Sequence, residues 1–304
     1  MARYAITGSS GLIARSLIDS LTADGHAVQR VVRDSGKAGQ DDVVWDLSSG
    51  RIQAEKLEGV DVVVHLAGEP IGDARWSEET KQRIHRSREV GTRLIAETIA
   101  GLHDRPQVLV SASGAHYYGD SGDEVLTEES SAGEGFLPQV CVAWEAAAQP
   151  ARDAGIRTVH ARTGVVIAEE GPLIEKVELP FRLGVGGRVG HGHQYVPWIS
   201  LEDEVRALRF LADRDDLAGP VNLVGPEPVT NRELTKALGQ VLHRPTVLPI
   251  PPFAIRLLYG EMGITLAMDS LRVMPQRLTD AGFTYTHTSL VSALEAALHD
   301  ERAA

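Results

Sequence analysis

The first residues whose types and spacing indicate chemistry are two glycines near the start of the chain. Gly8 and Gly11 follow a short apolar run, residues 4–6, and a stretch typical of a helix continues from Arg15. A glycine turn between a strand and a helix is the setting in which a dinucleotide binds, because glycine lets the backbone approach a pyrophosphate. The free N–H groups and the dipole at the helix N-terminus then favour the anion. A second apolar strand over residues 27–32 completes the βαβ unit, so the sequence predicts a dinucleotide site.

The end of the second strand decides between the two nicotinamide dinucleotides. NAD requires an acidic residue there for the ribose hydroxyl, whereas NADP requires a cation for the 2′-phosphate. Arg33 stands at this place, and a guanidinium binds phosphate through two donors. The sequence therefore favours NADP(H), and NAD(H) is the alternative if Asp34 turns inward and Arg33 is a solvated charge. Asp46 and Leu47 follow the next short strand, where Asp46 either bonds the adenine amino group or serves as a turn residue.

Candidates for proton transfer lie together after another apolar run, residues 108–112. Ser113 places a hydroxyl at the end of this strand, and His116, Tyr117 and Tyr118 follow it. A histidine titrates near neutral pH, and a tyrosine hydroxyl can exchange a proton with a substrate oxygen. The alternatives are that His116 is an ordinary loop histidine and that the two tyrosines line the wall of a substrate cavity.

Strand and helix patterns alternate through the first two-thirds of the chain. Residues 60–68 form a β-branched run that ends in small residues, which is typical of a buried parallel strand. The alternation predicts an α/β fold with a doubly wound parallel sheet of the Rossmann type, whose ligands bind at the carboxyl edge. We expect two parts: a dinucleotide-binding core over residues 1–165, to which 196–230 return, and a smaller C-terminal lobe over 166–195 and 231–304.

The composition excludes several classes of protein. The 304 residues carry a formal net charge of −12, which argues against a nucleic-acid binder or an anionic-membrane binder. The one cysteine, Cys141, excludes an internal disulfide framework, and the pair His191 and His193 has no third ligand, so no metal site is expected. No signal peptide or membrane-spanning run is evident. We expect a cytoplasmic protein with a small-molecule substrate, either a monomer or a homodimer.

Nine stretches spread over nearly the whole chain carry a resemblance to a known family. They are residues 7–13, 65–71, 75–76, 87–94, 117–120, 144–145, 197–199, 274–278 and 281–283. On these the chain resembles the extended short-chain dehydrogenase/reductase superfamily, and within it the NAD(P)-dependent epimerase-like subgroup with a characteristic C-terminal domain. The resemblance implies the fold of that superfamily and binding of NADP(H).

The resemblance also implies roles for residues outside the glycine turn. The strand end at Leu66, Ala67 and Gly68 lies along the cofactor in that family. Arg88 stands where related enzymes often have a cofactor-side Asn, although it could also be a solvated helix charge. Arg162 ends a strand at the same edge and faces either a ligand or a buried acid. The residues expected to bind the cofactor are Gly8, Ser10, Gly11, Leu12, Ile13, Arg33, Asp46, Leu47, Leu66, Ala67, Gly68, Arg88, Ser111 and Arg162.

The usual catalytic residues of the superfamily are missing. Ordinary members use Ser or Thr, then Tyr, then Lys four residues after the Tyr, but this chain contains no Tyr-x-x-x-Lys. The helix expected over residues 136–154 places Leu137 at the Tyr position and Cys141 at the Lys position. Gly114 occupies the usual hydroxyl position, one residue after Ser113. The remaining catalytic candidates are Ser113, Tyr118, Tyr117 and His116.

These observations leave three hypotheses for the function. The first is an NADP(H)-dependent oxidoreductase that acts on a small carbonyl or hydroxyl substrate with an altered proton donor. The second is a non-catalytic NADP(H)-dependent regulator, since some relatives in the subgroup are linked to cell division. A nucleotide-sugar epimerase is less favoured, because epimerisation needs reversible proton transfer at one centre.

Overall fold

The computed structural model describes residues 1–33, 36 and 38–299, and its centre is an eight-stranded sheet. From one edge to the other the strands are β12 (Gly219–Leu223), β8 (Arg157–Thr163), β6 (Val108–Gly114), β5 (Val62–His65), β1 (Arg3–Thr7), β2 (Ala27–Val32), β3 (Val43–Asp46) and β4 (Arg51–Ile52). All neighbouring pairs are parallel except β3 with β4. The strand order reverses between β1 and β5, so the predicted α/β sheet is confirmed, and its ligand crevice lies beyond the carboxyl ends of these two strands.

Helices cover both faces of this sheet. One face carries α1 (Leu12–Ala23) and α6 (Leu201–Asp213), and the other carries α2 (Glu78–Ala100) and α4 (Gln149–Asp153). Buried residues recur along α1 and α6 at spacings of three and four, which places them on the stripe that faces the sheet. The sheet is therefore buried on both faces, as its apolar parallel strands require.

The helix predicted over residues 136–154 is two helices. The first, α3, spans Phe136–Ala146, and α4 begins after a break at Ala147 and Ala148. Pro150 accounts for the break, because proline lacks an N–H and its ring clashes with the carbonyl four residues earlier, which is that of Ala146. The prediction of one continuous helix was wrong for this reason.

A second hydrophobic core lies in the C-terminal part of the chain. It is built from α5 (Pro172–Arg182), α7 (Asn231–Val241) and α10 (Leu290–His299), which pack around the buried ring of Trp198. Thr230 and Glu233 cap the start of α7 with the reciprocal bonds of a capping box. The shorter strand pairs are β9 (Val165–Ile167) with β11 (Trp198–Ser200), β10 (Tyr195–Val196) with β13 (Val229–Thr230), and β7 (Val125–Leu126) with β14 (Arg272–Val273).

The helix α8 (Pro252–Met268) reaches back to the segment that precedes α2. It is kinked at Gly260, which has a φ of +66°. The kink leaves carbonyl groups of the preceding turn without helical partners, and Arg75 donates from Nε to the Leu258 carbonyl at 3.0 Å and from Nη2 to that of Leu257. Lys81 pairs with Glu261 at 2.8 Å. These contacts tie the C-terminal part to the start of α2.

The edge strand β12 is held by residues from near the C-terminal end. Arg277, in α9 (Gln276–Asp280), donates to the Ala218 carbonyl at 2.6 Å and to the Pro220 carbonyl at 2.8 Å. The Asn222 amide donates to the Met274 carbonyl at 2.9 Å. Within the described residues, no helix is both long and apolar enough to cross a membrane.

Candidate active site

The glycine turn after β1 has a backbone geometry that favours glycine. Gly8 has a φ of +68°, and a Cβ atom there would lie 2.9 Å from backbone atoms of Leu66 and Ala67. The Gly11 N–H donates to the Gly8 carbonyl at 2.8 Å, which closes the turn. Gly11 is the N-cap of α1 and provides no side-chain cap, and the first turn of α1 has no acidic residue. The N-terminus of α1 is therefore open to an anion.

The rest of the turn lies at the same edge of the sheet. Ser10 and Gly11 are exposed, and Leu12 and Ile13 are half-buried. Ala14 is 1% exposed and packs in the core beneath α1, as the close approach of helix and strand requires. The free N–H groups at the start of α1, the absence of side chains at Gly8 and Gly11 and the accessible edge of the sheet together fit the diphosphate of a dinucleotide.

Thr7 joins the two strands that flank the crevice. Its Oγ1 accepts from the backbone N–H groups of Leu66 at 3.0 Å and Ala67 at 3.1 Å, and it lies 2.8 Å from Nδ1 of His65. Since this oxygen already accepts two bonds, its hydrogen is directed to His65 Nδ1, which requires a neutral imidazole. Burial lowers the pKa of His65 to about 3, which keeps the ring neutral. The strand end at Leu66 and Ala67 is thus fixed against the glycine turn.

The residues expected to distinguish the dinucleotides lie at the ends of β2 and β3. Arg33 is exposed, and it forms no ion pair with any other residue of the described ranges. Asp34 lies outside the described residues. Asp46 accepts from the Ser48 N–H and from the hydroxyls of Ser48 and Ser49, and these bonds lower the pKa of its carboxyl to about 2. Asp46 is therefore a turn residue with three of its lone pairs used.

Arg88 lies at the predicted cofactor edge, and it is not a solvated charge. Its guanidinium lies against Gly68, at whose position a Cβ would be 3.2 Å from Cζ, and it stacks 4.8 Å above the ring of Trp144. Its Nη1 donates to the carbonyls of Glu69 at 2.8 Å and Ile84 at 3.2 Å. Burial lowers the pKa of Arg88 to about 10, so it remains charged at neutral pH. Leu47, from the loop after β3, is half-buried against the same helix, α2.

Arg162 faces a buried acid, which is one of the two alternatives that the sequence leaves open. Its Nε and Nη2 donate to the two carboxylate oxygens of Glu145, at 2.8 and 2.9 Å. The side chains are 3% and 13% exposed. The Ser113 hydroxyl donates to the same carboxylate at 2.8 Å. The donors of Arg162 are therefore engaged by the protein, as is the hydroxyl of Ser113.

The two adjacent tyrosines differ in what their hydroxyls contact. Tyr118 is 2% exposed, donates to Asn222 Oδ1 at 2.7 Å and accepts from Arg162 at 3.0 Å. Burial raises the pKa of Tyr118 to about 12. Tyr117 is half-buried, with the Arg162 guanidinium 3.4 Å from its ring centre, and its hydroxyl has no hydrogen-bond partner in the described part of the chain. Only Tyr117 of the two therefore has an unengaged hydroxyl.

The other two predicted polar residues of this strand end differ in exposure, since Ser111 is fully buried and His116 is half-buried. Burial lowers the pKa of His116 to about 4, so its imidazole is neutral near pH 7. Ser111 is fully buried within β6, where its register partners are His65 and His160. Ser111 therefore offers no accessible proton at the crevice, and the His116 imidazole carries no charge there near pH 7.

The positions of the missing catalytic residues do come together. A Cβ at Gly114 would lie 3.6 Å from the Cys141 sulfur, and Cys141 contacts the Gly114 carbonyl at 3.7 Å. Leu137 lies one turn earlier on α3 and is 4% exposed. Burial raises the pKa of the Cys141 thiol to about 12, so it is neutral. The structure therefore places an apolar surface where the superfamily has its Tyr and Lys.

Comparisons with known proteins decide the family. The sequence profile of the NAD dependent epimerase/dehydratase family matches residues 4–225. The chain belongs to this family. Residues 250–297 match a domain of unknown function, DUF1731, which confirms the expected C-terminal domain. The nicotinamide cofactor expected from the glycine turn is confirmed at the level of this family, whose description specifies NAD.

Similar proteins cover nearly the whole chain. An epimerase family protein of Mycobacterium tuberculosis, MT2273, is 43% identical over 96% of both chains. A crystal structure of the human epimerase family protein SDR39U1 with NADPH is 32% identical, covers 98% of this chain and 99% of that one, and has a TM-score of 0.89. A nucleoside-diphosphate sugar epimerase from Corynebacterium glutamicum is 34% identical with a TM-score of 0.79, and the match covers 98% of this chain and 58% of that one.

The sequence did not predict two of the contacts that organise this site. One is the bond from Tyr118 to Asn222 on the far edge strand, and the other is the tie between Thr7 and His65. A threonine directly before the glycine turn was the available signal for the tie. His191 and His193 face each other across a tight loop, and no group of three or more His, Cys, Asp or Glu within the described ranges is placed to hold a metal ion.

Proposed function

We propose that this chain binds NADP(H) and transfers a hydride between it and a small carbonyl or hydroxyl substrate. The observation that carries the proposal is the open N-terminus of α1, which directly follows the positive-φ turn at Gly8. The human relative was crystallised with NADPH, and its fold matches nearly the whole chain. The same turn in this chain supports binding of the same dinucleotide.

The preference for NADP(H) over NAD(H) rests on Arg33. Its guanidinium is exposed at the end of β2, where the ribose 2′ position lies in this type of fold. Two charge-assisted hydrogen bonds to a 2′-phosphate would engage it, whereas a 2′-hydroxyl offers no anion. Asp46, the acidic residue at the next strand end, already accepts three bonds from Ser48 and Ser49.

Proton transfer at this site is assigned to Tyr117. When bound, the nicotinamide supplies or accepts the hydride, and the protein must supply or accept a proton. Tyr118 and Ser113 already donate to Asn222 and Glu145, and the His116 imidazole is neutral near pH 7 because its pKa is lowered to about 4. Tyr117 keeps a free hydroxyl, and Arg162 holds its ring in place.

A second candidate, a non-catalytic NADP(H)-dependent regulator, is favoured by a different observation. Leu137 and Cys141 form an apolar surface where a proton-transfer pair stands in other members of the superfamily, and the Ser113 hydroxyl bonds a carboxylate. Such a protein would bind the dinucleotide tightly and show no turnover.

The cofactor claim is tested by titrating the wild-type protein and Arg33→Ala with NADPH and NADH and following nicotinamide fluorescence. We expect the wild type to bind NADPH more tightly, and the substitution to weaken NADPH binding about 10- to 100-fold while NADH binding changes little, because a charged hydrogen bond contributes about 1.5–3 kcal/mol. Arg51→Ala, at an exposed position on β4, is the control. Equal affinity of the wild type for both dinucleotides would contradict the role of Arg33.

The catalytic claim is tested by NADPH oxidation with a panel of aldehydes, ketones and quinones. We expect turnover with at least one of them, reduced about 10²–10⁴-fold in Tyr117→Phe, because this is the usual contribution of general acid catalysis. Tyr259→Phe, which alters an exposed tyrosine on α8, should retain full activity. Tight NADPH binding with no turnover across the panel would favour the regulator instead.

A further inference from the structure

The guanidinium of Arg88 lies where three elements of the site meet. Gly68 follows β5 and lies against it, so that a Cβ there would be 3.2–3.4 Å from its Cζ, Nη2 and Nη1 atoms. The ring of Trp144 on α3 lies on another side, 4.8 Å from Cζ. Cys141 lies on the same helix, one turn before Trp144. The guanidinium therefore stands between the cofactor edge at Gly68 and the apolar surface at Cys141.

Among the described residues this guanidinium forms no salt bridge, although the nearby Glu69 carboxylate favours its charge. Nη1 donates only to two backbone carbonyls, those of Glu69 and Ile84. The carboxylate of Glu69 pairs with Arg83 at 3.4 Å, and the carboxylate of Glu145 is taken by Arg162. Nε and Nη2 of Arg88 have no hydrogen-bond partner among the described residues, and both stay accessible to solvent.

Arg88 therefore lacks a carboxylate in direct contact. Glu145 pairs with Arg162, Glu69 pairs with Arg83 at 3.4 Å, and the Cys141 thiol is neutral because burial raises its pKa to about 12. Burial disfavours the charge of Arg88 and lowers its pKa to about 10, although Glu69 partly offsets this. A half-buried cation without a directly bonded counterion is costly, and a ligand that supplies the opposite charge offsets this cost.

We propose that Arg88 binds an oxyanion, a carboxylate or phosphate group, of a molecule bound beside Gly68. Its two free donors, Nε and Nη2, are adjacent atoms of the fork that a guanidinium presents to carboxylate or phosphate. The missing side chain at Gly68 leaves the approach open. This inference rests on the proposed function, because it assumes that a dinucleotide and a substrate bind at this site. The oxyanion belongs either to the dinucleotide or to the substrate, and in the second case the substrate is an anion.

The first experiment uses inorganic phosphate as the probe and the full-length protein without dinucleotide. Thermal unfolding is followed in sodium phosphate and in sodium chloride at equal ionic strength, for the wild type, Arg88→Met and the control Arg83→Met. We expect phosphate to raise the Tm of the wild type and of Arg83→Met more than that of Arg88→Met. Phosphate bound at the N-terminus of α1 contributes equally to all three proteins, so the difference reports Arg88.

The second experiment identifies the source of the oxyanion by NADPH titration of the same proteins. If the group belongs to the dinucleotide, Arg88→Met weakens NADPH binding at least 10-fold and phosphate competes with NADPH. If it belongs to the substrate, the Kd of NADPH changes less than 3-fold, and phosphate still stabilises the NADPH-loaded wild type but not NADPH-loaded Arg88→Met. Gly68→Ala keeps the charge and obstructs the approach, so it should reproduce the loss.

Two results would overturn the inference. One is a phosphate response in Arg88→Met and Gly68→Ala equal to that of the wild type. The other is a ligand-free Arg88→Met that is much less stable than the wild type, together with an Arg88→Gln that restores both the stability and the phosphate response, since this pattern indicates a purely structural role. A wild type that fails to bind NADPH would refute the proposed function alone, because the phosphate comparison needs no dinucleotide.

Discussion

Removing one charge from the pair of Glu145 and Arg162 should destabilise the fold far more than removing both. Glu145→Gln keeps the size of the side chain, but it replaces one carboxylate oxygen by an amide that faces a guanidinium nitrogen. The guanidinium of Arg162, 3% exposed, is then a buried cation without a counterion. The Ser113 hydroxyl, which bonds Glu145 Oε1 at 2.8 Å, is also left with a weaker acceptor.

The expected magnitude follows from this geometry. Breaking a buried pair by removing one partner costs about 3–5 kcal/mol, and we expect Glu145→Gln to lower the free energy of unfolding by that amount. Arg162→Met leaves a buried carboxylate without its cation and removes the bond that the Tyr118 hydroxyl accepts, so we expect a similar loss. The double variant contains no unpaired charge, so its loss should be smaller than either single loss by at least about 2 kcal/mol.

Urea unfolding followed by tryptophan fluorescence measures these values by linear extrapolation. The matched control is Glu178→Gln, which breaks an exposed pair with Arg182 whose atoms are 2.6 Å apart, and it should cost no more than about 0.5 kcal/mol. A loss below about 1 kcal/mol for Glu145→Gln, or additive losses in the double variant, would refute the reasoning.

Two further predictions concern the glycine turn and a buried acid. Gly8→Ala should lower the free energy of unfolding by at least about 2 kcal/mol and abolish NADPH binding, because its Cβ would lie 2.9 Å from three backbone atoms at a left-handed φ. Gly25→Ala, with a φ of +79° and open space around it, is the control, and an equal loss in both would show that only the backbone conformation matters. Burial raises the pKa of Glu204 to about 8 from its ordinary 4.5, so the native state holds a proton that the unfolded chain releases, and stability should fall as pH rises between these values. Glu204→Gln should flatten this fall when Tm is measured from pH 5 to pH 8.5, and an unchanged slope would contradict it.

The sequence predicted those parts of the fold that local patterns determine. Apolar runs and the spacing of glycines predicted the parallel sheet and the turn at Gly8, because these features depend on residues close together in the chain. The residues that stand at the positions of the missing catalytic pair were also predicted. They are Leu137 and Cys141, which lie one helical turn apart on α3. Gly114 ends β6, and α3 packs on that part of the sheet, which brings Gly114 next to Cys141.

The contacts between distant residues could not be predicted in the same way. Arg162 and Glu145 are on different elements, and the sequence left open whether Arg162 faces a ligand or an acid. Tyr118 and Asn222 are 104 residues apart, and only the completed sheet brings them together. The hydrogen bonds that engage the Ser113 and Tyr118 hydroxyls therefore depend on tertiary structure, as does the position of the half-buried Arg88 guanidinium beside Gly68.

The position of β12 sets the order in which a newly made chain can finish folding. Its partner β8 ends at Thr163, but β12 begins only at Gly219, and the bonds that hold it come from Met274 and Arg277. At synthesis rates of about 5–20 residues per second, the outer edge of β8 stays unpaired for several seconds while the ribosome makes the intervening segment. Unpaired edges recruit strands from other chains. A chain that ends before β12 should therefore aggregate during synthesis even though its dinucleotide turn is complete.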